Sequence, residues 1–387
     1  MNILFIVGTI AGGGAEKVAA DLANEWSKTR EVYIYLSEGR KENEYPLSDR
    51  VHLIESQSKG LLPQVRELMR IKKMMPIDFS LAFSSYCGLI NALSKNNEIT
   101  VNGVHATLSR SPANKKRKIP VMISERIVDK VVPVSKASAK DLQRNFKVPY
   151  HKIQNIYNPC ILSEIEQKKD ECITDETVNR LLSEKRKIIV SHGRLSGEKC
   201  QGRMIRVMKQ VVEKHPDAVL LIMGVGPLEE YLKGLISDLQ LQENVYLLGF
   251  QTNPFKYLNI ADMYIFASAY EGFPIAPLDA MAVGLPIVAS QGLCGVRELM
   301  APDTDCEYQT DAIEYAAYGV LTPKFEEDLP SAKEECCESE FLFQQAICEM
   351  LDSEDLRDKY RRKSLERIQD FAPERIVAQW EELIKTI

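Results

Sequence analysis

The chain has 387 residues, 45% of them hydrophobic and 27% charged, with a net charge of −6. That length is about twice the usual size of one domain and ample for two hydrophobic cores. No apolar run approaches the ~18–20 residues of a membrane helix. Nine scattered cysteines, odd in number and with no C-x-x-C pair, point to reduced thiols in a cytosolic protein rather than to disulfides or zinc. Residues 1–150 hold 23 Lys and Arg against 15 Asp and Glu, a balance of +8 that leaves −14 for the remainder. Halves of opposite sign imply different partners.

The apolar start, 1–7, lacks the basic residues and cleavage site of a signal peptide and reads as a strand. Through the first half, strands are predicted over 3–7, 32–36, 51–54, 79–83, 99–104, 131–134 and 153–156. Helical patterns lie between them at 15–26, 61–75, 87–93 and 136–145. Such alternation implies a parallel sheet covered on both faces. Asn158-Pro159 breaks it, and the polar stretch up to Lys187 reads as a linker over 161–186 between domains at 1–160 and 187–373. The second half resumes with strands over 188–190, 218–222 and 245–248. A strand over 263–268, a helix over 276–283, a stop at Gly284-Leu285-Pro286 and a strand over 287–290 follow. Residues 324–340 read as an acidic surface insertion, and helices are expected over 341–351, 356–369 and 376–387.

Several strand-to-helix joints carry residues suited to an anionic ligand. The first holds Gly12, Gly13 and Gly14; glycines let backbone approach a ligand, and a helix start favours anions. It is no dinucleotide fingerprint, because Lys17 stands where the third glycine belongs, and no P-loop, because no Gly-Lys-Ser/Thr follows. A mobile turn is the plain alternative. In the second half, Arg194 and Lys199 share one loop with Gly193. A guanidinium and an ammonium there suit the charge that grows on a departing diphosphate, while two solvated surface cations would read the same way. Gly224-Val225-Gly226-Pro227 makes a compact turn into a helix. Glu271-Gly272-Phe273 sets a carboxylate and a glycine where a strand hands over to a helix, with Asp279 eight positions on. Open α/β sheets bind ligands on that edge, although an ordinary joint has the same look.

His105 ends a predicted strand and is as readily structural as functional. No His/Asp/Glu spacing suggests a metal site. The basic runs 70–73 and 115–118 are either solvated faces or suited to an anionic membrane or a lipid-diphosphate acceptor. Nucleic acid is not an expected partner, since no aromatics interleave these runs and the chain is acidic overall.

Glu271 and Asp279, with Ala280-Met281-Ala282, Gly284 and Pro286, resemble the signature of retaining glycosyltransferases of family 4, nucleotide-sugar enzymes of the GT-B fold. The glycine start is similar to that family's Gly-Gly-x-Glu-Arg, and Gly193-Arg194 with Lys199 to its Gly-Arg-x4-Lys-Gly loop. Gly224 and Phe250 stand in elements similar to those lining its donor cleft. Asp279 occurs where the family has Glu, Pro274 where glycine is common, and the glycine after Lys199 is displaced to Gly202.

The resemblance implies an α/β chain of two Rossmann-like domains facing a cleft, 1–160 for the acceptor and 187–373 for the donor. A C-terminal helix, 374–387, would cross back to the first domain. It implies catalytic roles for Glu271, Arg194 and Lys199; His105, as a histidine facing the cleft, is expected to join them by hydrogen-bonding the donor sugar or a phosphate. Gly12, Gly13, Gly14, Gly193, Gly224, Phe250, Gly272, Phe273, Ile275 and Asp279 would surround the nucleotide sugar. Glu271 would lie against the sugar and Asp279 would accept from ribose hydroxyls. The implied reaction needs no metal or cofactor. It moves a hexose or N-acetylhexosamine from a UDP-sugar to a glycan or lipid-linked glycan in surface polysaccharide synthesis, in the cytoplasm or at the inner face of the plasma membrane. A nucleotide-sugar epimerase of the same fold and a catalytically quiet partner subunit are the competing expectations, the latter resting on Asp279 and Pro274.

Overall fold

Continuous apolar runs such as 3–7 and 218–223 pair only where both faces of a sheet are covered, and here they do so in two separate sheets. The computed structural model describes residues 1–110, 118–293 and 295–387. It divides into two units, Met1–Pro159 with Phe371–Ile387, and Cys160–Asp370. The run 115–118 thus lies, except for Lys118, outside the described residues.

The first unit holds β1 (Asn2–Val7), β2 (Glu31–Leu36), β3 (Val51–Glu55), β4 (Phe79–Ala82), β5 (Ile99–Val104) and β6 (Lys130–Pro133). They form one sheet in the order β3-β2-β1-β4-β5-β6, every pair parallel. The order reverses between β1 and β4, which makes their carboxyl ends a topological switch point. Ser84 and Ser135 cap the helices Ser85–Leu93 and Lys136–Phe146, each accepting a backbone N–H of the first turn.

Three features differ from expectation. Helix Lys118–Ile127 has no counterpart in the prediction; it buries only Val121, Ser124 and Glu125, too few apolar positions to make a stripe. The strand expected over 153–156 is reduced to a single bridge from Ile153 to Val131 after a 3-10 turn at Tyr150–Lys152. Lys72, in helix Leu61–Met74, is buried with its ammonium 2.6 Å from Glu98 and 2.9 Å from Asn91. The run 70–73 is therefore no continuous basic face: a buried cation needs its carboxylate, and Lys72 has one.

Helix Pro373–Thr386 belongs to this unit and starts on a proline, which tolerates the first turn. Its buried Ile376, Trp380 and Leu383 recur at i, i+4 and i+7. Trp380 stands edge-on to Trp26 at 6.1 Å and to Phe79 at 6.4 Å. Arg30 adds an ion pair to Glu381 at 2.6 Å.

The second unit holds β7 (Lys187–His192), β8 (Ala218–Met223), β9 (Val245–Gly249), β10 (Met263–Phe266), β11 (Ile287–Ser290), β12 (Glu314–Tyr315) and β13 (Val320–Thr322). Their order is β12-β13-β11-β10-β7-β8-β9, parallel except for β12 with β13. Here the switch point falls between β7 and β10. The segment 161–186, expected as a linker, instead forms helices Leu162–Lys168 and Glu176–Ser183. Ile165, Val178 and Leu181 are their buried anchors, and Asp175 caps the second helix. Few apolar residues in a charged stretch suffice for helices this short.

The acidic segment 324–340 is only partly a surface feature. Its backbone wraps Arg206, which donates to Glu340 at 2.8 Å and to the carbonyls of Glu334 and Glu335 at 3.0 Å each. Tyr231 donates to the Pro330 carbonyl at 2.6 Å. Glu340 is fully buried, so the segment is fastened at its end by a paired internal charge.

Candidate active site

All four residues of β10 are buried, and the chain then turns through 267–274 into helix Ile275–Ala282. Gly284 ends that helix at φ +79°, with the Gly284 and Leu285 amides donating to the Met281 and Ala280 carbonyls. A left-handed glycine closing the last turn is a common helix stop. Glu271 is thereby fixed beyond the carboxyl end of β10. The loop after the neighbouring β7 brings Lys199 to the same place.

Lys199 and Glu271 form an ion pair, with side chains 24% and 22% exposed, and the Ser268 hydroxyl donates to Glu271 at 3.2 Å. The Ala269 amide donates to the Glu198 carbonyl at 2.8 Å and ties the two loops together. Arg194, by contrast, is exposed, and its guanidinium meets no partner among the described residues. Its carbonyl accepts from Gln201 at 2.8 Å. The two cations thus share a loop without converging: one is held by a carboxylate and the other is open to solvent.

The glycines around them have packing reasons. Gly193 has φ +148° and Gly224 φ +137°, and a Cβ on Gly224 would lie 2.0 Å from the Gly193 carbonyl oxygen. The turn after β8 therefore rests directly on the loop after β7, with Gly193 N–H donating to Met223 and Leu195 N–H to Val225, both at 3.0 Å. Phe250, just beyond β9, is 58% exposed. Gly272 and Phe273 are buried and Ile275 is half-buried. Phe273 packs so closely on Gly295 that a Cβ there would come within 2.5 Å of its ring. Its side chain serves the core. Asp279 is buried, with Oδ2 3.4 Å from Nε2 of His192, the last residue of β7.

In the first unit, Gly12 (φ +87°) and Gly13 follow β1, and Gly14 opens helix Gly14–Ser27. A Cβ on Gly13 would fall 2.2 Å from a Glu16 carboxylate oxygen, so glycine lets the loop close over that side chain. Burial raises the Glu16 pKa, and the charge of Glu38 adds to the effect. His105 follows β5 and stacks on Phe83 at 5.2 Å. Burial pushes its imidazole down to about 4, opposed by a contact with Asn158, so it is neutral near pH 7. Its Nδ1 is buried without a hydrogen-bond partner.

Glu16 and His192 escaped the sequence reading as site residues, although Glu16 follows the glycine start and His192 directly precedes Gly193-Arg194. Their signal was position alone, Glu16 in the first turn of the helix after β1 and His192 at the carboxyl end of β7. Among the described residues no group of His, Cys, Asp or Glu could hold a metal ion, and no helix is long and apolar enough to cross a membrane.

Two family models match the chain: Glycosyltransferase Family 4 over residues 12–164 and Glycosyl transferases group 1 over residues 174–314. An uncharacterized glycosyltransferase of Methanocaldococcus jannaschii is 32% identical over 263 residues. That match takes in 67% of this chain and 64% of the relative, so it spans just under two-thirds of the relative's length. The N-acetylgalactosamine-N,N'-diacetylbacillosaminyl-diphospho-undecaprenol 4-alpha-N-acetylgalactosaminyltransferase of Campylobacter jejuni is 28% identical over 314 residues, 76% of this chain and 82% of that one. Among solved structures, HepE of Anabaena in complex with UDP matches over the whole of both chains with a TM-score of 0.77 at 18% identity, a likeness of fold. The chain belongs to the glycosyltransferases of group 1 and family 4, and its two Rossmann-like units are those of the GT-B fold.

Proposed function

We propose that this protein moves a hexose or N-acetylhexosamine from a UDP-linked donor to a hydroxyl of a lipid-linked glycan, with retention of anomeric configuration and without a metal. The observation that carries the reading is the Lys199–Glu271 pair, joined across the switch point of the second unit's sheet. Open α/β sheets take their ligands at that position. As the glycosidic C–O bond lengthens, negative charge collects on the diphosphate, and Lys199 and Arg194 are the cations for it. Glu271 orders the ammonium beforehand and offers carboxylate oxygens to the sugar hydroxyls. Asp279 accepts from the ribose. The acceptor hydroxyl attacks from the face that the diphosphate leaves, and a departing phosphate oxygen takes its proton. Neutral His105 serves as a hydrogen-bonding group rather than as an acid.

UDP as the carrier is supported by the HepE complex, which has the same fold. A lipid-linked acceptor is supported by the Campylobacter relative, whose name sets its acceptor on diphospho-undecaprenol. The balance of +8 in residues 1–150 suits such an anion. On helix Leu61–Met74 the exposed Leu62, Arg66, Arg70, Lys73 and Met74 suit the anionic inner face of a plasma membrane. The free cysteines among the described residues agree with a cytoplasmic setting.

The test is nucleotide release from UDP-glucose, UDP-galactose, their N-acetyl forms and GDP-mannose, with a chelator present and no acceptor. Slow release of UDP from one donor, unchanged by the chelator, is expected. Failure to bind any of the nucleotides in a titration would overturn the reading.

A further inference from the structure

His192 and Asp279 make a second contact across the same switch point, built differently from the first. The backbone of His192 is fastened on both sides to one hydroxyl: its amide lies 3.3 Å and its carbonyl 3.4 Å from the oxygen of Tyr264. Its ring stands edge-on to Tyr264 at 5.5 Å. The imidazole therefore has a fixed seat at the end of β7. From there Nε2 lies 3.4 Å from Asp279 Oδ2, the two side chains being 14% and 9% exposed. A carboxylate can only accept, so Nε2 carries the proton and donates. The other ring nitrogen, Nδ1, is buried and unpartnered. Oδ1 of Asp279 has no partner among the described residues and, unlike Nδ1, is not shut off from solvent.

Space makes the two residues a matched pair. Oδ2 already reaches the edge of the ring. A glutamate at 279 would carry its carboxylate farther by one C–C bond, about 1.5 Å, into the place the imidazole holds. The short acid and the histidine belong together.

We propose that His192 is a positioning residue for nucleoside recognition: it holds one oxygen of Asp279 so that the other takes a hydroxyl of the donor's ribose. The inference rests on the donor-site reading above. A hydroxyl is the partner that an acceptor-only oxygen in a nearly closed seat requires, because it brings a proton to donate and no charge to bury. Lys199 and Arg194 lie on the following loop and serve the diphosphate, so sugar and phosphates are read by separate groups.

Calorimetric titration of the full chain with UDP, 2′-deoxy-UDP and 3′-deoxy-UDP tests this. The wild type should prefer UDP to at least one deoxynucleotide by about tenfold, the worth of one hydrogen bond to a charged group. His192→Ala should bring that preference within about threefold while leaving the affinity for the same deoxynucleotide unchanged. His192→Asn, whose amide still donates, should keep part of it. His192→Ala combined with Asp279→Glu should restore it, the longer acid filling the vacated space. An undiminished preference in His192→Ala would overturn the proposal, and so would an equal loss for UDP and its deoxy forms. Wild type that binds UDP with no hydroxyl preference would overturn this inference alone, whereas wild type that binds no nucleotide would overturn the donor-site reading and this inference with it.

Discussion

Replacing Glu271 by glutamine should move nucleotide affinity and turnover in opposite directions. In the resting protein the Lys199 ammonium is held by Glu271, and Ser268 donates to the same carboxylate. A phosphate oxygen approaching the far side of the ammonium at ~2.8 Å would stand ~5–6 Å from that carboxylate. Two unit charges at ~6 Å interact by ~3 kcal/mol at an effective dielectric of ~20 and by ~1 kcal/mol at ~50. With side chains 24% and 22% exposed, the lower figure is the better guide. Glu271→Gln keeps the size and an acceptor for Ser268 while removing that repulsion, so UDP should bind about five- to tenfold more tightly. Turnover should nevertheless fall by about 10² or more, because a neutral amide no longer balances the positive charge that develops on the sugar in the transition state. Calorimetry with UDP and single-turnover release of UDP from the preferred donor read the two effects. Weaker UDP binding, or an unchanged rate, would refute the roles given to this pair.

Burial pushes the Glu125 carboxyl up to about 8, opposed by a hydrogen bond from Asn102. It is protonated in the folded chain at neutral pH but ionises above about 4.5 when unfolded, so stability should fall as pH rises from about 4.5 to 8. Glu125→Gln should flatten that decline and gain on the order of a few kcal/mol at pH 8, read by urea unfolding at pH 5 and pH 8. Trp380→Ala removes the indole packed on Trp26 and Phe79 and should cost ~3–5 kcal/mol in urea; a loss below about 1 kcal/mol would mean that the contact carries little. Arg206→Ala leaves the buried Glu340 with Arg203 at 3.2 Å as its one remaining cation and the Cys337 amide at 2.9 Å, and should cost ~3 kcal/mol. Limited proteolysis should then cut within 331–337, and a resistant variant would argue against the fastening described for this segment.

The sheets were legible because parallel strands covered on both faces leave unbroken apolar runs, as in β8, β10 and β11. Helices Leu162–Lys168 and Glu176–Ser183 were not, since three buried residues among many charges make no visible period. In the site, Glu271 and Lys199 were legible from their motif, but their pairing was not. They lie 72 residues apart, and only the adjacency of β10 and β7 brings them together. The same adjacency unites Asp279 with His192, 87 residues away. Lys72 misled for a related reason: its carboxylate, Glu98, is supplied by a turn before another strand. Local pattern reports which residues want burial; strand order decides which charges meet.

The helix Pro373–Thr386 has a consequence for synthesis. It completes a unit whose other part ends at Pro159, so the growing chain presents Trp26 and Phe79 long before Trp380 exists. At ~5–20 residues per second, the ~220 intervening residues hold that aromatic face open for roughly 10–45 s. The second unit, by contrast, is one unbroken segment, Cys160–Asp370, and can fold as it emerges. The first-made sheet is therefore the last to be finished, and a ribosome-bound chain halted near residue 370 should bind chaperones through the face that Trp380 later covers.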